Sequence, residues 1–274
     1  EETLDKGRDD SEASRYITIS SMVNRVIELK MIEWTNHTLP IPVFIAKNCT
    51  FSWIKAVPTD FRAMLSNIIN NAYEALDKSK KLIKIGLCLE DGYYKISIED
   101  NGIGIPQDKL AAVKVGQSFK HEGKGLGLSE AIRYTENILH GKLNISSIEG
   151  KGTTITICVP YIDPPSWFTN QIKITANTKV FVLDDDSSMI NYWEQRFKEF
   201  GVSGFFSNNA EDFSKHYEEN KDATHKLFLL DYELSDKLNG LDLIRSILYK
   251  EKNIFLVTTH AEEYWIQNNI ESLP

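Results

Sequence analysis

The sequence predicts an α/β protein of two domains joined by a proline-containing linker. At 274 residues and 42% hydrophobic content, the chain is long enough for two cores of ordinary domain size. Its first part alternates helical periodicity with strand-like runs, and its last part alternates short apolar runs with amphipathic segments. We predict a first domain over 16–160, a linker over 161–177 and a second domain over 178–274. Residues 1–15 are expected to be a charged remnant of a preceding segment.

A helix is predicted over 60–78, because apolar residues recur there with helical spacing. The opposite face is polar and carries Asn67, Asn70, Asn71, Glu74 and Lys78. Such a face is usually only solvated. Asparagine, however, is a poor helix former, and three of them in five residues favour a functional role. The amide oxygen of Asn71 is a hard, neutral ligand of the kind that suits Mg²⁺.

Two strands and a tight turn follow, over Leu82–Leu89 and Tyr93–Glu99. They are joined at Asp91-Gly92, a dipeptide that suits the positive φ of a hairpin turn. Asp100 therefore lies where a strand ends and begins the segment D-N-G-I-G-I. Taken alone, this segment is also compatible with an ordinary turn, because Asn-Gly is common in turns.

The next segment, 106–124, is long and of mixed polarity, and the motif G-K-G-L-G-L runs from Gly123 to Leu128. An apolar, helix-like stretch over 126–139 begins inside this motif. Backbone N–H groups at a helix N-terminus can face phosphate groups. Lys120 and Lys124 are candidate phosphate partners, although lysines in such a segment are as often only solvated. Two further strands, over 143–147 and 153–159, close the domain.

Taken together, N-I-I-N-N-A-Y-E-A from Asn67 to Ala75, D-N-G-I-G-I and G-K-G-L-G-L resemble the N, G1 and G2 boxes of the histidine-kinase branch of the GHKL ATP-binding family. The resemblance covers 16–160 and implies an α/β sandwich, the Bergerat fold. It implies that Asp100 accepts a hydrogen bond from the adenine amino group, that Asn71 holds the Mg²⁺ of Mg-ATP, and that 106–124 is the ATP lid. The remaining implied nucleotide contacts are Asn67, Gly102, Gly104, Phe119, Lys124, Gly125, Gly127 and Thr153.

The residue at position 67 argues against ATP hydrolysis by water. In the ATPases of the wider superfamily, the residue four before the Mg²⁺-binding Asn is a glutamate that activates water, whereas this chain has Asn67. An amide cannot accept a proton at neutral pH, so the general base for hydrolysis is missing. Glu74 substitutes only if it reaches the γ-phosphate. We therefore expect a site that holds ATP for a nucleophile other than water.

The second domain is predicted to be a doubly wound α/β sheet. Val180–Leu183, Leu227–Leu230 and Ile254–Val257 are continuous apolar runs, typical of strands buried on both faces. The carboxyl ends of such strands are where sites form. These ends carry Asp184, Asp185, Asp186, Asp231, Thr258 and Thr259. Three converging carboxylates repel one another and favour a bound cation, most suitably Mg²⁺, although acids that only cap strands are the alternative.

This half resembles a response-regulator receiver domain with a flavodoxin-like fold. The resemblance implies that Asp184, Asp185 and Asp231 hold Mg²⁺, that Asp231 is the phosphoacceptor, and that the Thr258 hydroxyl meets the phosphoryl group. Asp186 is instead expected at the N-terminus of the following helix. A receiver also has a fifth strand with a lysine, which this sequence lacks, so we expect a truncated receiver.

The combined prediction is the ATP-binding and receiver portion of a hybrid sensor histidine kinase with ATP and Mg²⁺ as cofactors. None of the six histidines lies in the family's H-box setting. The phosphoacceptor histidine is therefore expected in a dimerisation domain or phosphotransfer protein outside this chain, and the parent is expected to be a homodimer. The alternatives are a regulatory module that binds ATP without transferring phosphate and a chaperone-like or repair-type ATPase, which Asn67 disfavours.

Composition and charge disfavour some other functions and locations. The net charge of −8 disfavours a nucleic-acid surface. The three cysteines have no metal-ligand spacing, which indicates reduced thiols and a cytoplasmic fragment. No apolar run approaches the ~18–20 residues of a membrane span. Any anchor of the parent in the inner membrane is therefore expected upstream.

Overall fold

A computed structural model describes residues 13–34, 41–77, 81–114, 126–175, 177–234, 239–258, 261 and 263–270. The chain divides into two compact units, with the boundary between Pro165 and Ser166. This boundary lies inside the segment predicted as a linker. Among the described residues, no helix is both long enough and apolar enough to cross a lipid bilayer.

The first unit combines strands with helices that cover one face of its main sheet. Its elements are β1 (Arg15–Thr18), α1 (Ile19–Glu33), β2 (Val43–Ile45), β3 (Trp53–Ala56), α2 (Pro58–Glu74), β4 (Ile83–Glu90), β5 (Tyr93–Asp100), α3 (Gln107–Lys114), α4 (Leu126–Asn137), β6 (Lys142–Ile148) and β7 (Gly152–Pro160). The main sheet has the order β2-β4-β5-β7-β6, and β1 pairs with β3 separately. Inward residues of the sheet share one core with residues of α1, α2 and α4. This is the α/β sandwich that the sequence predicts.

Local sequence explains why β5 ends where the site begins. Asp91 and Gly92 have φ values of 54° and 77°, which confirms the predicted tight turn between β4 and β5. The two strands pair in antiparallel register from Glu90↔Tyr93 to Ile83↔Asp100. Asp100 is consequently the last residue of a central strand and is only 7% exposed.

Part of the segment predicted as the ATP lid is helical. Helix α3 follows Pro106, whose carbonyl accepts hydrogen bonds from the backbone of Lys109 and Leu110. Leu110 is buried in the core of the first unit. The sequence prediction missed this helix because its apolar stripe is short and the segment around it is mixed in polarity.

The second unit contains a parallel sheet covered on both faces. Its elements are β8 (Lys179–Leu183), α5 (Ser187–Glu199), β9 (Gly204–Ser207), α6 (Ala210–Glu219), β10 (Lys226–Asp231), α7 (Gly240–Ser246), β11 (Ile254–Val257) and α8 (Tyr264–Ile270). The described strands lie in the order β11-β10-β8-β9. All three pairings are parallel. This is the doubly wound arrangement predicted from the apolar runs.

The strands of this sheet are buried on both faces, which explains why their sequences are continuous apolar runs. Phe181 and Leu183 of β8 belong to one core cluster, whereas Val180 and Val182 belong to a second cluster on the other face. The sequence prediction missed strand β9. It is an edge strand of four residues that begins with glycine, and its apolar run is only two residues long, which is too short to indicate a strand.

Candidate functional site

Asp100 is held in a fixed orientation by backbone groups of the loop that follows it and of strand β7. Its Oδ1 atom accepts a hydrogen bond from the Gly102 N–H at 2.9 Å and another from the Thr153 N–H at 3.3 Å. Strand register places Thr153 directly opposite Asp100. Hydrogen bonds from two backbone N–H groups to one carboxylate oxygen restrict the orientation of the carboxylate plane. The structure therefore brings together two residues that lie far apart in the sequence.

The loop after Asp100 is anchored at both sides. On one side, the Ile103 N–H donates to the carbonyl of Ala75, which caps the C-terminus of α2. On the other side, the Ile103 carbonyl accepts from Gly150 N–H at 2.7 Å. The D-N-G-I-G-I loop thus joins the end of the asparagine-rich helix to the turn between β6 and β7.

Three glycines in this region are required by close backbone packing. A Cβ atom on Gly102 would lie 2.2 Å from the Ala75 carbonyl oxygen, and one on Gly104 would lie 2.2 Å from that of Ile148. At Gly152, where φ is +127°, it would lie 2.0 Å from the Asp100 carbonyl oxygen. The loop can pack this tightly only because these positions have no side chain.

Ser147 is a site residue that the sequence analysis missed. Its Oγ accepts a hydrogen bond from the Ile105 N–H at 2.8 Å, donates to the Gly152 carbonyl at 3.1 Å and lies 2.9 Å from the Thr153 Oγ1. A serine in a strand carries no motif signal. Only its antiparallel register with Thr153 identifies it.

The asparagine-rich helix packs against the first turn of α4. A Cβ atom on Gly127 would lie 3.3 Å from both Cβ and Cγ of Asn67. The structure therefore brings Asn67 and Gly127 together, and Asn71, one turn further along α2, is half-buried. A groove of about 430 Å³ between α2 and α4 is lined by Asp60, Ala63, Met64, Asn67, Glu130, Ala131, Arg133, Tyr134, Asn137 and Ile138. Three predicted nucleotide contacts, Phe119, Lys124 and Gly125, lie outside the described residues.

The second unit has a cluster of carboxylates at the carboxyl edge of its sheet. One carboxylate oxygen from each of Asp184, Asp185 and Asp231 lies within 4.8 Å of the others. Parallel register explains the approach, since Leu183 pairs with Leu230 and each is followed by an aspartate. Asp231 also pairs with Val257, so the half-buried Thr258 follows directly on the neighbouring strand. Thr259, which the sequence analysis also noted, lies outside the described residues.

Burial and mutual repulsion shape the electrostatics of this cluster. Burial and the neighbouring Asp184 raise the pKa of Asp231 to about 6, and burial also raises the pKa of Asp184. Asp186 is separate from this set. Its side chain accepts a hydrogen bond from the Ser188 N–H at 2.8 Å and caps α5, which confirms its predicted place. Three convergent carboxylates fit a hard divalent cation such as Mg²⁺, which prefers oxygen ligands.

Residues 56–163 match a family model described as histidine kinase-, DNA gyrase B-, and HSP90-like ATPase. The match begins at the end of β3 and runs through β7, so it contains all of the Asp100 contacts described above. This segment is a histidine-kinase-type ATP-binding domain.

Known proteins similar to the chain match it over part of its length. An uncharacterized sensor-like histidine kinase of Rhizobium meliloti (strain 1021) is 34% identical over 116 residues, which are 39% of this chain and 21% of the relative. Hybrid signal transduction histidine kinase A of Dictyostelium discoideum is 29% identical over 156 residues, 49% of this chain and 7% of the relative. The chain therefore spans at most about a fifth of these two relatives. The catalytic domain of histidine kinase ThkA aligns with a TM-score of 0.47 and 21% identity, covering 54% of this chain and 95% of that structure.

Proposed function

We propose that this chain is the ATP-binding catalytic and receiver portion of a hybrid sensor histidine kinase in a two-component phosphorelay. The main support for this proposal is that one chain contains both a histidine-kinase-type ATP-binding domain and a cluster of three carboxylates at the carboxyl edge of a parallel sheet. In chain order that sheet reads 2-1-3-4, and the flavodoxin-like order is 2-1-3-4-5. A receiver domain accounts for both the strand order and the carboxylates.

In the ATP-binding domain, we assign recognition of the adenine ring to Asp100. We assign binding of the phosphates to the N-terminal end of the helix around Gly127. The fixed Asp100 carboxylate is an acceptor for an amino group, and Thr153 lies beside it. Asn71 would hold Mg²⁺, which neutralises charge on the phosphates. Phe119, Lys124 and Gly125 keep their predicted roles in the lid and the phosphate site.

The transfer that follows needs a nucleophile other than water. Asn67, packed against Gly127, has no group that accepts a proton from water. In the proposed reaction a histidine nitrogen outside this chain bonds to the γ-phosphorus while the bond to the β-phosphate oxygen breaks, and ADP leaves. Positioning and charge neutralisation are sufficient for such a step.

In the second unit, Asp231 would receive the phosphoryl group. Its carboxylate oxygen bonds to phosphorus as the phosphorus–nitrogen bond of the phosphohistidine breaks. Asp184 and Asp185, with Asp231, would hold Mg²⁺, which neutralises the combined charge. Although burial raises the pKa of Asp231 to about 6, this value is still below neutral pH, so the carboxylate is available as the nucleophile. Thr258 follows Val257, the strand partner of Asp231, and its hydroxyl would meet the phosphoryl group.

Calorimetric titration with ATP and ADP, with and without Mg²⁺, tests the first half of the proposal. We expect micromolar binding in the native chain and its loss in Asn71→Ala and Asp100→Asn, while Asn144→Ala, on the exposed side of β6, binds normally. A folded native chain that binds neither nucleotide would refute the proposed kinase function.

Phosphoryl transfer tests the second half. The chain is mixed with a phosphorylated histidine phosphotransfer protein and Mg²⁺, and acid-stable and base-labile label is counted. We expect label on the native chain and none on Asp231→Asn. Nucleotide binding without any labelling of the chain, even with a histidine-bearing dimerisation domain supplied, would instead favour the regulatory module.

A further inference from the structure

We propose that Ser147 is a positioning residue that selects adenine over guanine by fixing the direction of the Thr153 hydroxyl. This inference rests on the proposed nucleotide site at Asp100. Ser147 itself lies outside the three nucleotide motifs.

The Ser147 hydroxyl has as many partners as its chemistry permits. A hydroxyl donates one hydrogen bond and accepts two. Ser147 Oγ accepts from the Ile105 N–H, and towards the Gly152 carbonyl it can only donate. With its single hydrogen committed to Gly152, the 2.9 Å contact with Thr153 is a hydrogen bond only if the Thr153 hydroxyl is the donor. All three contacts are satisfied by this one assignment.

The assignment determines what Thr153 can offer to a ligand. Its hydrogen points to Ser147, so its remaining capacity is that of an acceptor. Thr153 lies directly opposite Asp100 in the antiparallel register, and opposite residues point to the same face of a sheet. The Thr153 hydroxyl therefore belongs to the same wall as the Asp100 carboxylate. Both groups on this wall are therefore hydrogen-bond acceptors.

A wall of acceptors discriminates between the two purines. Adenine carries an amino group at position 6, which donates, whereas guanine carries a carbonyl oxygen there, which only accepts. A guanine bound in the same pose would place its position-6 oxygen against these acceptors and leave that oxygen unpaired, which is costly in a desolvated site. Without Ser147, the Thr153 hydroxyl could rotate and donate to the guanine oxygen.

The test is the ratio of ADP to GDP affinity, measured by calorimetry on the whole chain. We expect Ser147→Ala to lower the preference for ADP roughly tenfold, the equivalent of about one well-placed hydrogen bond. Ser146→Ala is the matched control, since Ser146 is exposed on the same strand, and it should leave the ratio unchanged. Thr153→Val, which removes the hydroxyl at constant shape, should lower the ratio by a similar factor, and the double variant should add nothing further.

The possible outcomes distinguish failure of the Ser147 proposal from failure of the proposed nucleotide-binding function. A native chain that binds no ADP refutes the proposed function and this inference together. ADP binding with an unchanged ADP-to-GDP ratio in a folded Ser147→Ala protein refutes this inference alone. If Ser147→Ala does not fold, Thr153→Val decides, and an unchanged ratio there is equally refuting. Circular dichroism and thermal unfolding establish which variants are folded.

Discussion

The two units build their sites in different ways. In the ATP-binding domain, the surroundings of Asp100 are made largely of backbone: N–H groups of Gly102 and Thr153 and carbonyls that pack closely against Gly102, Gly104 and Gly152. In the second unit, the cluster consists of side chains that follow directly on neighbouring parallel strands. A site made of backbone is sensitive to added volume, whereas a site made of carboxylates is sensitive to charge. The predictions below test this contrast in order of expected size.

The largest effect is expected from adding one methyl group beside Asp100. In Gly152→Ala the new Cβ would lie 2.0 Å from the Asp100 carbonyl oxygen at a φ of +127°, so backbone must move. We expect a loss of roughly 3–5 kcal/mol in the free energy of unfolding and loss of ADP binding. Chemical denaturation and calorimetry measure both.

Gly150→Ala is the matched control in the same turn. Gly150 also has positive φ, at +71°, but nothing lies within 4 Å of its added Cβ. We expect a cost of about 1 kcal/mol from the backbone conformation alone, with ADP binding retained. Equal effects at the two glycines would show that backbone conformation, not close packing, explains both.

In the second unit, removing a charge is expected to stabilise the fold. Asp231→Asn keeps the shape but removes one of three mutually repelling carboxylates. In EDTA we expect stabilisation by about 1–2 kcal/mol, less than the full pKa shift implies because the site is partly open to solvent. Thermal unfolding with and without Mg²⁺ should also show that Mg²⁺ stabilises the native chain but not this variant. Destabilisation in EDTA would contradict the role given to charge repulsion.

The same repulsion predicts a pH dependence. The pKa of Asp231 is raised from 3.8 to about 6, so the folded state holds this proton more tightly than the unfolded state does. This tighter proton binding contributes to the free energy of unfolding. The contribution is fully present below pH 4 and is lost as pH rises through about 6. In EDTA, the native chain should therefore lose stability relative to Asp231→Asn between pH 4 and 6. A constant difference between the two proteins over this range would exclude the pKa shift.

The smallest expected effect concerns the neighbouring aspartate that is not in the cluster. Asp186→Ala removes the N-cap of α5 and should cost about 1 kcal/mol. Mg²⁺-dependent stabilisation should persist, because Asp186 is not among the three clustered carboxylates. Loss of the Mg²⁺ effect in this variant would extend the cation site to Asp186.

Much of the fold was predictable because the two units carry strong periodic signals. The β4–β5 hairpin followed from Asp91-Gly92, and the doubly wound sheet followed from three apolar runs. Strand β9 and helix α3 were missed, since each is short and carries only a few apolar residues. Cys88 and Cys158 are only partly buried because they alternate with the inward residues of β4 and β7.

The sequence by itself determined the three nucleotide motifs and the order of aspartates along the second unit. Asp184 and Asp231 could be paired in advance, because parallel strands bring their carboxyl ends to one edge of a sheet. Tertiary structure alone decided that Ser147 and Thr153 face each other and that Thr153 reaches Asp100. Antiparallel register between distant strands has no local signal, since it depends on how the whole sheet assembles. The direction of a single hydroxyl depends in turn on that register.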